Sequence, residues 1–243
     1  MNSSDPLPTR TPRYTLETLA TWSPSNPLLV GTATALTLVS AYYGWLRCVR
    51  RIRTVDDLRP SDFAPRRLRG VVTSVGDADN FRVWHTPLLR RFAAVPTTRS
   101  ALKGETLHVR LAGVDAPELA HFGKPAQPFS SEALDLLTNT VLGRTVTVEL
   151  HQRDRYGRVV GMAYIRSFPW FKRKNVSEVL LRAGLATVYR QAGAVHAGQL
   201  SRFERLEEDA KARKIGMWSI SSRSYESPAA FKKRWAAGKG ENP

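Results

Sequence analysis

The chain has 243 residues with ordinary apolar and charged fractions, 42% and 24%, which leaves room for one domain plus appendages and excludes wholesale disorder. A net charge of +16 and a pI near 10.6 point to polyanionic partners, nucleic-acid phosphates or anionic lipid, over a merely solubilising surface. The lone cysteine, Cys48, excludes an intrachain disulfide and a thiolate metal site.

Residues 1–27 are rich in Ser, Thr and Pro and show no apolar period, which predicts a flexible leader. From Leu28 to Leu46 the chain runs LLVGTATALTLVSAYYGWL without a charge. As a helix rising ~1.5 Å per residue, that run covers about 30 Å, the thickness of a bilayer core. Tyr42, Tyr43 and Trp45 gather at its end, where amphipathic rings favour head groups, and Arg47, Arg50, Arg51 and Arg53 follow. We therefore read 28–46 as a transmembrane helix with its C-terminal side on the positive face. A buried core helix is the competing reading; a cleavable signal fits worse, since the run is long and begins late.

Residues 47–66 read as a basic linker, 67–219 as a folded domain, and 220–243 as a polar, basic, frayed tail. Within the domain, Leu68 to Val75 and Asn80 to His85 are expected strands around an Asp77-Ala-Asp79 turn. Thr86 to Lys103, with Pro87 and Pro96, is expected to be a surface loop. Glu105 to Val114, Arg144 to Leu150 and Arg158 to Ile165 alternate as strands. Ser130 to Thr140 has helical spacing with Ser130 or Ser131 as N-cap, and Val176 to Arg182 is a short helix before Gly184. Gln199 to Lys214 is the strongest helix, with Glu207–Lys211 and Asp209–Arg213 pairs on its wet face. Short alternating strands with a few helices predict an α+β domain built on a five-stranded barrel of the OB type, a fold that binds polyanions on one face.

Three clusters could carry chemistry: Asp77 with Asp79; Arg110 with Asp115, Pro117 and Glu118; and Asp154-Arg-Tyr-Gly-Arg158. Alone, each has an innocent reading as turn or cap chemistry. Together they supply what phosphodiester hydrolysis needs. Asp79 and Asp115 are oxygen ligands suited to Ca²⁺, Arg110 and Arg158 can grip phosphate bidentately, and Glu118 is a spare carboxylate for water. No clustered Cys/His set, Gly-rich phosphate loop or nucleophile elbow is present.

Asp77-x-Asp79, Arg110-Leu-Ala-Gly-Val-Asp115-Ala-Pro-Glu118 and Asp154-Arg-Tyr-Gly-Arg158 resemble, in order, the three motif blocks of the staphylococcal thermonuclease family. Gly184-Leu185-Ala186 with Tyr189, and Gly216-Met217-Trp218, extend the likeness over about residues 67–219. The resemblance implies an OB barrel and a calcium-dependent endonuclease of DNA or RNA whose products end in a 3′-phosphate. By position it implies Asp79, Asp115 and the Ala116 carbonyl as calcium ligands and Arg110, Glu118 and Arg158 as catalytic residues. It also implies Tyr156 and Tyr189 as nucleotide-binding residues. The hydrophobic run with its basic flank, Val95-Pro-Thr-Thr-Arg99 and His121-Phe-Gly-Lys-Pro-Ala-Gln-Pro resemble a fungal, membrane-bound branch assigned to mitochondria, which implies a single-pass mitochondrial membrane protein.

The family's glycine between the first two acids is Ala78 here; a turn requiring positive φ would cost about 1 kcal/mol and displace Asp79. The competing functional reading is a weak or inactive nucleic-acid-binding OB module on a membrane tether. Pure binding has no use for Glu118.

Overall fold

Val146, Val148 and Leu150 alternate with Thr145, Thr147 and Glu149 along one strand, the pattern of a sheet with one buried face. The same alternation recurs in Leu107–Leu111, and five strands close into a barrel. The computed structural model describes residues 26–63, 66–121, 123–167, 172–221 and 224–237; the predicted leader lies almost wholly outside them. It divides into two units, Met1–Arg47 and Cys48–Pro243.

In the first unit, helix α1 (Pro27–Val49) begins behind Asn26, whose Oδ1 accepts the Leu28 N–H at 3.1 Å. Pro27 to Leu46 is long and apolar enough to cross a membrane, and its side chains are exposed. The Thr32, Thr34 and Thr37 hydroxyls donate to carbonyls of the preceding turn at 2.8–3.0 Å. The polar residues that lower the helix's hydropathy are thus satisfied internally, as an apolar solvent requires.

In the second unit, strand β1 (Arg67–Asp77) pairs antiparallel with β2 (Asn80–His85), and β2 with β3 (Leu107–Leu111). β5 (Thr145–Arg153) returns beside β1, β6 (Val159–Ser167) beside β5, and parallel pairing of β3 with β6 closes the ring. This is an OB-type barrel, α+β overall with its helices. Gly161 sits at the closure: a Cβ there would lie 2.7 Å from the Glu149 carbonyl, so only glycine lets the strands approach. Phe81, Val109, Val148 and Met162 fill the interior. β4 (Val114–Asp115) and β8 (Thr187–Val188) form a separate two-stranded ladder, and β7 (Lys172–Asn175) adds to the barrel's edge. The edge strand's KRKN carries no apolar alternation, and β8 has two residues, too short for a period to register.

Helices α3 (Ser130–Val141) and α4 (Val176–Arg182) pack on the barrel, and α5 (Leu200–Ala212) packs against α4 and β8. The cap of α3 is neither serine: Phe129, at φ 66°, turns the chain, and no side chain caps the end. The 86–106 segment holds a 3₁₀ turn and the short helix α2 (Arg99–Leu102).

Two segments read as appendages are folded. In 47–66, Ile52 and Val55 enter the core, the Ile52 N–H donates to His85 Nδ1 at 2.9 Å, and Arg51 lies over the Trp84 ring and pairs with Glu105. Basic composition hid two apolar anchors. In the tail, Pro228–Ala237 forms helix α6, with Phe231 buried and stacked against Trp235. A four-residue spacing of two aromatics supplies that helix's apolar face.

Candidate active site

The turn between β1 and β2 delivers Asp79. Ala78 does not take positive φ. Its methyl is buried with Ala116, Ala133 and Leu185, so alanine costs nothing in this turn and fills a small apolar cluster. Asn80 follows, its Nδ2 donating to Asp79 Oδ1 at 3.1 Å and its Oδ1 facing His108 Nε2 at 3.0 Å.

Arg110 leaves β3 on the opposite side from the buried Val109 and Leu111. Gly113, at φ +76°, then reverses the chain; a Cβ there would meet the Phe203 ring at 2.6 Å. This turn brings Asp115 back toward Arg110. Nε of Arg110 donates to Asp79 Oδ2 at 3.2 Å and Nη2 to Asp115 Oδ1 at 3.4 Å. The ladder of β4 with β8 holds the far side: Thr187 Oγ1 donates to the Asp115 carbonyl at 3.2 Å, and the Tyr189 N–H to the Gly113 carbonyl at 3.0 Å. Tyr189 thereby stands beneath Arg110, whose guanidinium lies 4.9 Å from the ring centre.

Asp154 folds the β5–β6 turn by accepting the N–H groups of Tyr156 and Arg158 at 2.9 and 2.8 Å, and it orients the Arg158 Nε at 2.7 Å. Tyr156 is exposed, with Arg155 and Arg158 over its ring at 4.9 and 5.2 Å.

These segments meet. A cleft of about 820 Å³ is lined by Asp79, Arg110, Glu118, Tyr156, Arg158 and Tyr189, together with Lys124 and Lys232. Asp115 lies just behind it, 1% exposed. Ala116 is buried and is not among the lining residues. Asp77 belongs to the same acidic group: burial and the neighbouring Asp79 push its carboxyl up to about 6. Burial likewise raises Asp115, against the opposing pull of Lys232 and Arg110. Burial works against the charge on Arg110, but Asp79 and Asp115 outweigh it and raise its pKa.

The oxygen set suits a hard cation. Asp79 and Asp115 present carboxylates within reach of one arginine, and Asp115 Oδ2 is buried with no hydrogen-bond partner among the described residues. No three acids or histidines converge among the described residues, so a cation held here would need backbone oxygen or water for much of its shell.

Two residues were missed from the sequence, and a third was read only as half of a surface pair. Gln127 accepts the Glu118 N–H at 2.9 Å, fixing the loop that carries the acid. Lys232 reaches the acids from α6, at 2.7 Å from Asp115 Oδ1 and 2.8 Å from Glu118 Oε1. Glu207 pairs with Lys211 as expected, at 2.8 Å, but it is buried. It accepts the Val188 N–H at 2.8 Å and Arg190 at 3.0 Å, clamping β8. Burial raises its carboxyl, but the bonds from Arg190, Lys211 and Val188 prevail and lower it. A carboxyl depressed in the fold contributes stability above its unfolded pKa and loses it as pH falls through the folded value. Glu207→Gln should therefore cost about 1–3 kcal/mol at neutral pH, its cationic partners being half in water. The deficit should shrink in urea titrations below about pH 4; an equal deficit at both pH values would mean the charge is not what stabilises β8.

Residues 108–220 match the family described as Staphylococcal nuclease homologue. The chain is 45% identical over 217 residues to a protein of Pyricularia oryzae named probable endonuclease LCL3, covering 87% of this chain and 82% of that one. A protein of the same name from Paracoccidioides brasiliensis is 42% identical over 271 residues, 97% and 79% of the two chains. Another, from Schizophyllum commune, is 43% identical over 226 residues, 87% and 76%. With matches of that identity and extent over the barrel and its motif blocks, the chain belongs to the family of staphylococcal nuclease homologues.

Proposed function

We propose that this chain is a membrane-anchored, calcium-dependent endonuclease that cleaves DNA or RNA to 3′-phosphate ends, held in a mitochondrial membrane by α1. One observation carries the reading: Asp79, Arg110, Glu118 and Arg158, distant in sequence, line one cleft with Asp115 behind it. In this reading Asp79 and Asp115 hold Ca²⁺ with the Ala116 carbonyl and water, and the bound ion supplies positive charge to the phosphate oxygens. Arg110 and Arg158 grip the scissile phosphate and its developing charge. Glu118 orients the attacking water and takes its proton as the water oxygen bonds to phosphorus; the bond to the 5′ oxygen breaks, and that oxygen takes up a proton from solvent. A 3′-phosphate and a 5′-hydroxyl result. Tyr189 and the exposed Tyr156 offer ring faces to the nucleotide. The apolar α1 supports the membrane assignment, and the mitochondrial one rests on the resemblance of the hydrophobic run and its basic flank to the fungal branch.

The test is cleavage of plasmid and of RNA by the full chain in detergent, with Ca²⁺ and with a chelator, followed by end-group analysis. Cleavage that survives chelation, or 5′-phosphate ends, would contradict the reading.

A second concavity extends the polyanion surface. Arg82, Arg99 and Lys103 line it with Thr97, Ser100 and Thr106, and no acid lines it. Along β2 and β3 the rung Asn80–Arg110 is followed by Arg82–His108, about 7 Å further on. Burial, helped by Arg82 and Arg158, pushes the His108 imidazole down to about 4. Replacing Arg82, Arg99 and Lys103 with Gln should weaken binding of a long single strand and reduce its salt slope by about 2, at ~0.7 per contact. A dinucleotide confined to the first cleft should bind unchanged; equal weakening of both would place these cations elsewhere in the interaction.

A further inference from the structure

The acids of the cleft already hold a cation. The Lys232 ammonium lies 2.7 Å from Asp115 Oδ1 and 2.8 Å from Glu118 Oε1, geometry of charge-assisted hydrogen bonds to two carboxylates at once. The helix that carries it is anchored at several points. Phe231 is buried, and its ring lies 6.1 Å from that of Trp235. Upstream, Tyr225 stacks on Trp218 at 4.9 Å, and Gln127 Nε2 donates to the Glu226 carbonyl at 3.3 Å. Gln127 therefore ties the Glu118 loop and the approach to α6 together.

Asp115 is shared unevenly. Arg110 Nη2 and Lys232 Nζ both address Oδ1, at 3.4 and 2.7 Å, while Oδ2 is buried without a partner among the described residues. A divalent ion on Asp79 and Asp115 would stand within a few ångströms of the ammonium. Two positive charges that close repel strongly where water is partly excluded. Occupancy by a divalent ion therefore weakens the hold of the Lys232 ammonium on Asp115.

We infer that Lys232 is a positioning residue of the site: a tethered ammonium that balances Asp115 and Glu118 when no metal is bound, and that withdraws from them when a divalent cation arrives. Cation affinity is then set against the docking of α6, and Glu118 is released for water by the same event. This rests on the cation site of the proposed function.

The experiment uses the full chain in detergent, titrated with Ca²⁺ by calorimetry, with Lys232→Met and Lys232→Gln beside the wild type. Both variants should bind Ca²⁺ at least about 5-fold more tightly, because a competitor is gone. In the wild type, which needs no variant, Ca²⁺ should increase hydrogen exchange across residues 228–237. Unchanged or weaker Ca²⁺ affinity in both variants, with exchange in α6 unaltered by Ca²⁺, overturns the competition and leaves the calcium site standing. No Ca²⁺ binding by any of the three proteins overturns the calcium site and the competition with it. Binding by the variants alone supports both.

Discussion

Glu118→Gln is expected to lower the rate of nucleic-acid cleavage by about 10²–10⁴-fold, the usual contribution of a positioned proton acceptor. The amide keeps the size of the side chain and the backbone N–H bond to Gln127, so the loop should hold its shape. What it loses is the negative charge that faces Lys232 in the present structure and, in the proposed reaction, a water molecule. Ca²⁺ affinity should change little by comparison, since Glu118 is outside the proposed ligand set. Single-turnover cleavage measured at saturating Ca²⁺ separates the two effects. A wild-type rate in that assay would remove Glu118 from the proton transfer.

The second large effect is expected at Arg110. Its guanidinium bridges Asp79 and Asp115 and rests on the Tyr189 ring. Lysine cannot keep two directed N–H bonds on those acids and a planar fork toward phosphate. Arg110→Lys should therefore cost about 10²–10³-fold in turnover, comparable with loss of one preorganised donor to transition-state charge. Among the described residues Arg158 is held through Nε by Asp154, so Arg158→Lys disturbs the acids less. The contrast is diagnostic: binding of a non-cleavable oligonucleotide should weaken in both variants, whereas Ca²⁺ affinity should shift mainly in the Arg110 variant. Full turnover in Arg110→Lys would rule out its phosphate clamp.

Strands and motifs were legible where a period or spacing is written locally. The β2 bounds fall where expected, at Asn80 and His85, because apolar alternation ends there and Thr86-Pro87 follows. The cleft residues were legible because Asp79, Arg110, Asp115, Glu118 and Arg158 sit in compact motifs at strand ends. The contributions made across the fold were not. Glu207 and Lys211 look like any solvated helical pair until β8 arrives and buries the acid. Lys232 stands in a run of basic residues, and nothing in FKKRW separates the lysine that pairs with the acids from its neighbour. Ile52 and Val55 are anchors only because the barrel offers a place for them. Phe129 shows the opposite limit: a left-handed aromatic before a helix defies local preference, and a serine cap was the better local guess.

The ladder of β4 with β8 joins residues 114–115 to 187–188, and Glu207 braces it from later still. Such pairings reward the chain only after long loops have closed, so they form late. A ribosome adding about 5–20 residues per second exposes the first aspartates several seconds before their distant partners. The growing polypeptide therefore passes through its early life with the reactive residues unassembled. Competence arrives only when the final third of the molecule has emerged and docked.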